Sequence, residues 1–129
     1  MADEGGAFAR AVSSKDRGAV LDVLADDVDF RALTPGRAWE AGSAGEVVDI
    51  LFGSWFEPHD DVVGLIGVED GEPVEDTRRV AYRFAVRTPD GDYTVEQQAY
   101  YRTEAGRIVH LRVLCSGFRE VGGVPDVDE

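Results

Sequence analysis

The chain has 129 residues, a mass of 14.0 kDa and a formal charge of −13, from 26 acidic against 13 basic side chains. That length supports one domain with one core, and 43% apolar with 30% charged residues is the balance of a globular chain, not a disordered one. The charge argues against a nucleic-acid or anionic-membrane surface, and no apolar run approaches the roughly 18 residues a bilayer span requires.

The acidic opening, Met1-Ala2-Asp3-Glu4, lacks the basic stretch of an export signal, and Cys115 has no second cysteine to pair with. The expected address is therefore cytoplasmic. Charge is unevenly spread: residues 1–77 hold 18 acids and five bases, whereas residues 78–119 hold eight arginines and four acids. The two halves can attract each other across one fold.

Ala7 to Val12 is alanine-rich and predicts a short helix. Ser13 and Asp16 have capping-box spacing, which predicts a second helix with Val20, Leu21 and Leu24 on one stripe and Asp26-Asp27 at its end. Val28 to Leu33 alternates as a half-buried strand does, Thr34-Pro35-Gly36 is a turn signal, and Arg37 to Glu40 reads as a short returning strand. Ser43 and Glu46 form another capping box, opening a helix whose Val47, Ile50, Leu51 and Trp55 share a face. Glu57-Pro58-His59-Asp60-Asp61 breaks it, and Val62 to Val68 reads as a strand closed by Asp70-Gly71.

The last third is the most regular. Arg78 to Thr88 alternates strictly, with Val80, Tyr82, Phe84 and Val86 on one face. Asp90-Gly91 predicts a two-residue turn, which sets Val86 opposite Val95, Phe84 opposite Gln97, Tyr82 opposite Ala99 and Val80 opposite Tyr101. Ile108 to Phe118 forms the next strand, with Val109, Leu111, Val113 and Cys115 on its apolar face. A three-residue loop, Glu104-Ala105-Gly106, keeps that face aligned with Gln97 and Tyr101. A two-residue loop or a bulge would instead turn Gln98, Tyr100 and Arg102 inward, and the first register buries fewer charges. One domain is expected over 1–129, with an ordered core over 5–119 and a loose acidic tail over 120–129.

This order, helices and a short strand pair before four long antiparallel strands, predicts an α+β fold with the helices segregated to one face. Leu24-Ala25-Asp26-Asp27-Val28, Pro35-Gly36, the run from Glu96 to Tyr101 and Gly106-Arg107-Ile108-Val109 lie at the positions that mark one such frame. Over residues 5–119 the chain resembles the nuclear transport factor 2-like superfamily, the cone fold of steroid Δ5-isomerase, scytalone dehydratase, limonene epoxide hydrolase and SnoaL-like polyketide cyclases. The resemblance implies a curved antiparallel or mixed sheet forming a cone around N-terminal helices, with an apolar chamber holding a few polar groups. It also implies that the isomerase machinery is missing: the base position falls on Ala32, the oxyanion tyrosine on Ala7 or Phe8, and the oxyanion acid on Gln97 or Gln98. An amide donates a hydrogen bond but does not shuttle protons. The arginine and two aspartates of epoxide hydrolases have no match either, with Val113 at the expected strand position.

Gln97 among Val95, Phe84 and Val113 either orients a ligand carbonyl or hydroxyl, or bonds a neighbouring backbone group or water. Tyr82 and Tyr101 put hydroxyls on the same face and serve equally as aromatic core. Trp39 and Trp55 would wall the chamber or simply pack it. Glu40 is the best-placed carboxylate for acid or base work, unless strand alternation turns it to solvent. Cys115 has no base beside it, since His110 lies on the opposite strand face. His59-Asp60-Asp61 has ligand chemistry but consecutive spacing, and no phosphate loop, dinucleotide fingerprint or paired-cysteine motif occurs, so neither metal nor cofactor is expected.

Two functions follow. The first is a pocket for a small apolar or amphipathic molecule, with isomerase, cyclase, dehydratase or hydrolase chemistry open to it. The second is a non-catalytic homodimeric module that uses the outward sheet face, where Arg79, Arg83, Arg87, Arg102, His110 and Arg112 surround Glu96, Tyr100 and Leu114.

Overall fold

Three helices begin in the same way, with a side-chain oxygen taking a backbone N–H that the helix itself cannot satisfy. In the computed structural model, which describes residues 3–121, Asp3 accepts from Gly6, Asp16 from Ala19 and Ser43 from Glu46, at 3.1, 3.0 and 3.2 Å. They open α1 (Glu4–Ser13), α2 (Arg17–Val23) and α3 (Ala44–Ile50). At α3 the capping box closes through Gly42, whose N–H donates to Glu46 Oε1 at 2.9 Å. Ser13 does not cap the second helix. It is the last residue of α1, and Asp16 is the cap. A π-helical turn over Leu51–Trp55 extends α3 and carries Trp55.

The strands are β1 (Leu24–Thr34), β2 (Arg37–Ala41), β3 (Asp61–Asp70), β4 (Arg78–Thr88), β5 (Gly91–Glu104), β6 (Arg107–Cys115) and β7 (Arg119–Glu120). They form one mixed, unclosed sheet in the order β2-β1-β6-β5-β4-β3, with β7 paired to the start of β5. Among the described residues only β1 and β6 run parallel. Leu24 belongs to β1 rather than to the second helix: its partner is Ile108, and an irregularity separates that contact from the regular pairing that starts at Asp29. Leu21, expected on the buried stripe, is exposed. Glu120, expected in the tail, lies in β7, Val121 donates its N–H to the Asp92 carbonyl at 3.2 Å, and tail positions 122–129 fall outside the described residues.

The β4–β5 hairpin is offset by two residues from the expected pairing. Its turn is Pro89-Asp90, with Thr88 opposite Gly91, so Phe84 faces Val95, Tyr82 faces Gln97, Val80 faces Ala99 and Arg78 faces Tyr101. Proline's fixed negative φ suits the first central position of a type I turn, and Asp90 does not take the positive φ that an Asp90-Gly91 type I′ turn requires. Thr88 Oγ1 accepts from Asp90 N at 3.0 Å and stiffens the turn. A two-residue slip keeps every side chain on its face, so alternation alone does not separate the two pairings.

The β5–β6 hairpin reaches the expected facing by a different route. Its turn is the two-residue Ala105-Gly106, both at positive φ, and one extra residue between Arg102–His110 and Thr103–Ile108 restores the alignment. Gln97 thus faces Cys115, Ala99 faces Val113 and Tyr101 faces Leu111. The bulge also makes Ile108, not Val109, the fully buried residue at that end.

All three helices cover one face of the sheet: α1 packs on β3, β4 and β5, α2 on β1 and β6, α3 on β1 and β2. The core between them joins Phe8, Val12, Val47, Leu51 and Phe56 from the helical side to Phe30, Phe84, Tyr101, Leu111 and Val113 from the sheet.

Candidate functional site

Pairing fixes which side chains lie side by side on the helix-covered face. One row runs Trp39, Ala32, Val113, Ala99, Val80 across five strands. The neighbouring row runs Cys115, Gln97, Tyr82. The first is a row of mostly small, buried side chains ending at a tryptophan, and the second sets polar groups beside it.

Gln97 is 1% exposed and Tyr82 2%. The Tyr82 hydroxyl donates to Gln97 Oε1 at 2.8 Å, and Gln97 Nε2 donates to Cys115 Sγ at 3.4 Å. The polar inward residue is thus tied into a short chain, Tyr82–Gln97–Cys115. Burial, reinforced by the nearby Cys115 sulfur, pushes the Tyr82 phenol far above its ordinary range, so it keeps its proton and acts as a donor. Cys115 is half-buried and also accepts from Gly117 N at 3.4 Å.

Tyr101 lies elsewhere, on the row of Phe30 and Leu111. Its hydroxyl accepts from Gly5 N at 3.2 Å, and the Arg78 guanidinium sits 5.1 Å from its ring centre. A Cβ at residue 5 would come within 2.6 Å of that hydroxyl, so glycine is what lets α1 seat on the tyrosine. Burial raises the Tyr101 phenol, opposed by Arg78 and the Gly5 N–H. Beside it the buried Glu4 carboxylate pairs with Arg78 at 2.9 Å.

Trp39 and Trp55 meet edge to face at 6.0 Å, and Phe30 stands 6.2 Å from Trp55. Trp39 is half-buried: its Nε1 donates to Thr34 Oγ1 at 2.9 Å, and Arg37 stacks 3.7 Å from its ring centre. Trp55 is buried, and its Nε1 has no hydrogen-bond partner among the described residues. That orphan donor is not legible in the sequence, where Trp55 reads only as part of an apolar helical stripe.

Glu40 stays apart from these groups. It is exposed, alternates away from Trp39 along β2, and lines an open cleft of about 380 Å³ with Asp27, Asp29, Arg31 and Glu46. Glu57, His59 and Asp60 bring one ligand-type atom each within 4.8 Å. Asp60 there accepts from Glu57 N at 3.2 Å, and the Lys15 ammonium donates to the Glu57 and Asp60 carbonyls. A lysine charge seated on this loop opposes a divalent cation and gives the cluster a structural task.

Comparison with known proteins bears on the frame. No family model and no curated protein sequence matches the chain. Solved structures do. A ketosteroid isomerase-like protein of Catenulispora acidiphila, in complex with trimethylamine, superposes with a TM-score of 0.70 at 12% identity, over 88% of this chain and 85% of that one. An NTF2-like protein of Burkholderia thailandensis gives 0.62 at 20% identity, over 88% of each chain. A protein described as a SnoaL-like polyketide cyclase, from Mesorhizobium loti, gives 0.61 at 17% identity, over 85% of this chain and 94% of that one. The fold is the nuclear transport factor 2-like cone, and at these identities the likeness speaks for architecture, not chemistry.

Proposed function

We propose that this chain binds a small apolar or amphipathic molecule on the helix-covered face of its sheet, along the row from Trp39 to Ala99 and beside Gln97. The observation that carries this reading is the buried Tyr82–Gln97–Cys115 chain. A primary amide offers two N–H donors and two acceptor lone pairs, and Gln97 spends one of each on Tyr82 and Cys115. The second N–H is left for a ligand carbonyl or hydroxyl to use. Trp39, Trp55 and Tyr82 supply the apolar walls, and Tyr101 closes the α1 end of the same face.

Burial holds the protons on the Tyr82 and Tyr101 hydroxyls, Gln97 is a neutral amide, and Glu40 faces away. This supports binding by shape and oriented hydrogen bonds, with isomerisation, cyclisation, dehydration or hydrolysis open only where orientation of the substrate suffices. The neighbour that holds trimethylamine is a precedent for a small guest in this fold. An NMR titration of the ¹⁵N-labelled chain with ethylbenzene tests the reading. Shifts confined to amides around Ala32, Val113 and Gln97 support it, and their absence ends it.

A second reading, a homodimer through the open sheet face, has its own support. Leu33 and Leu114 are adjacent there, 54% and 47% exposed. The arginines around them are largely paired within the chain: Arg83 and Arg119 with Glu96, Arg87 with Asp92, Arg102 with Asp76, Arg112 with Asp29. Paired arginines repel a second copy far less than bare ones. Leu114→Lys should lower the mass in solution from two chains to one, and a single-chain mass for the unaltered protein removes this reading.

A further inference from the structure

We infer that the cleft where β3 ends beside the start of β4 and of α1 is a binding site for a free α-amino acid in its zwitterionic form, with Arg79 taking the carboxylate and Asp70 the ammonium. The cleft holds about 610 Å³, within the size of small-molecule sites. It shares no lining residue with the row from Trp39 to Ala99, so it does not depend on a ligand there. Most of the charge at this end of the sheet is already spent. Asp3 caps α1 through Gly6 N at 3.1 Å and pairs with Arg10 at 3.5 Å. Arg78 pairs with the buried Glu4 at 2.9 Å. Two opposite charges remain. Among the described residues, neither Asp70 nor Arg79 has an ion pair, with each other or with any other side chain.

Arg79 differs in this from Arg83, Arg87, Arg102 and Arg112, each of which has an acid beside it. It is half-buried, and the backbone fixes where it lies. Gly71 N donates to the Arg79 carbonyl at 2.9 Å, and a Cβ at residue 71 would come within 2.5 Å of Arg79 Nε and 2.6 Å of Nη2. Glycine therefore lets the guanidinium lie across the bare Cα of its cross-strand neighbour. Asp70, the residue before that glycine, stands opposite Val80 and lines the same cleft. A guanidinium presents a fork of N–H donors that matches a carboxylate, and an ammonium brings three donors to a carboxylate acceptor. An α-amino acid carries both groups on one carbon, so one small molecule answers both residues and adds no net charge. A simple anion on Arg79 would face Asp70, and a simple cation on Asp70 would face Arg79, each at a Coulomb cost. Pro73 and the edge of Tyr101 give an amino acid's side chain apolar surface to rest on.

The test titrates the full ¹⁵N-labelled chain with L-leucine, with isocaproate, which has the same skeleton without the ammonium, and with isoamylamine, which lacks the carboxylate. L-leucine is expected to shift the Gly71 and Arg79 amides and the Arg79 Nε resonance, and to bind about tenfold more tightly than either half-molecule. Asp70→Asn should reduce L-leucine to the affinity of isocaproate, and Arg79→Gln should reduce it to that of isoamylamine. Both replaced side chains lack an ion-pair partner in the protein, so both variants should keep the urea midpoint of the unaltered chain. Equal affinities for the three probes overturn the site, as does an unchanged L-leucine affinity in either variant. The absence of shifts at Gly71 and Arg79 with L-leucine at tens of millimolar overturns it as well.

Discussion

Tyr82 and Gln97 stand directly opposite each other on β4 and β5, and the tyrosine hydroxyl donates to the amide oxygen at 2.8 Å in an interior where both are almost fully buried. The pair exists because the hairpin turns at Pro89-Asp90; a turn one residue later, at Asp90-Gly91, would set Tyr82 against Ala99. Each partner satisfies the other, so removing one alone strands a buried polar group. Tyr82→Phe and Gln97→Leu should each destabilise by about 1–3 kcal/mol. The double variant should cost less than the two losses added, with a coupling of about 0.5–3 kcal/mol in urea unfolding. Strictly additive losses would show that the two groups do not depend on each other.

The same hydroxyl makes the protein sensitive to alkali. Folding raises the Tyr82 phenol, first through burial and then through Cys115. A group whose pKa rises on folding contributes its stability fully below the unfolded value, about 10 for tyrosine, and loses it as pH climbs past that toward the folded value. Above about pH 10 the unfolded chain sheds a proton that the folded chain keeps, so stability falls by up to about 1.4 kcal/mol per pH unit for this one group. Tyr101 moves in the same direction. Urea midpoints between pH 8 and 11.5 should decline beyond pH 10 in the unaltered protein, and less steeply in Tyr82→Phe. Parallel slopes would place the alkaline loss elsewhere.

The sequence and the fold agree where a pattern has one physical solution. Strict alternation from Arg78 to Thr88 fixes which face of β4 is buried, and Ser43 with Glu46 fixes where α3 starts, because each rests on local geometry alone. Legibility stops where two solutions share a pattern. Asp90-Gly91 is a strong turn signal, yet Pro89 one residue earlier fits a type I turn better, and both choices bury Val80, Tyr82, Phe84 and Val86. Ser13 fits a capping box, but α1 reaches it first and leaves the task to Asp16. For the candidate site, the alternation of β5 narrows the inward amide to Gln97 or Gln98, and the turn and bulge around 103–109 decide for Gln97. Its partner Tyr82 is not, since that depends on the turn, and the unpartnered Trp55 donor depends on a π-helical turn that no residue pattern announces.

Lys15, the single lysine of the chain, ties the turn between α1 and α2 to the loop before β3. Its ammonium donates to the Glu57 carbonyl at 2.7 Å and to the Asp60 carbonyl as well, bridging segments more than 40 residues apart. Hydrogen bonds from a charged donor contribute about 1.5–3 kcal/mol, so Lys15→Met should cost about 2–3 kcal/mol in urea unfolding. Hydrogen exchange should also quicken at the Asp60 amide, which is bonded to the Glu57 carbonyl at 2.9 Å and depends on the loop keeping its shape. Unchanged exchange at Asp60 would mean the loop holds itself.

Ala105 sits at φ 53°, exposed, in the first central position of the turn that joins β5 to β6. A left-handed backbone costs a residue bearing a Cβ roughly 1–2 kcal/mol, which glycine avoids, while glycine's extra freedom in the unfolded chain takes back part of the gain. Ala105→Gly should therefore stabilise by about 0.5–1 kcal/mol. Gly106→Ala, at φ 77° with open space around its would-be Cβ, should destabilise by about 1 kcal/mol for conformational reasons alone. Neither change should disturb the Tyr82–Gln97 pair, because the facing of Gln97 is restored by the bulge at Val109, beyond the turn. Thermal unfolding of both variants checks the two signs. A loss in Ala105→Gly would show that the turn is held by contacts other than its own backbone preference.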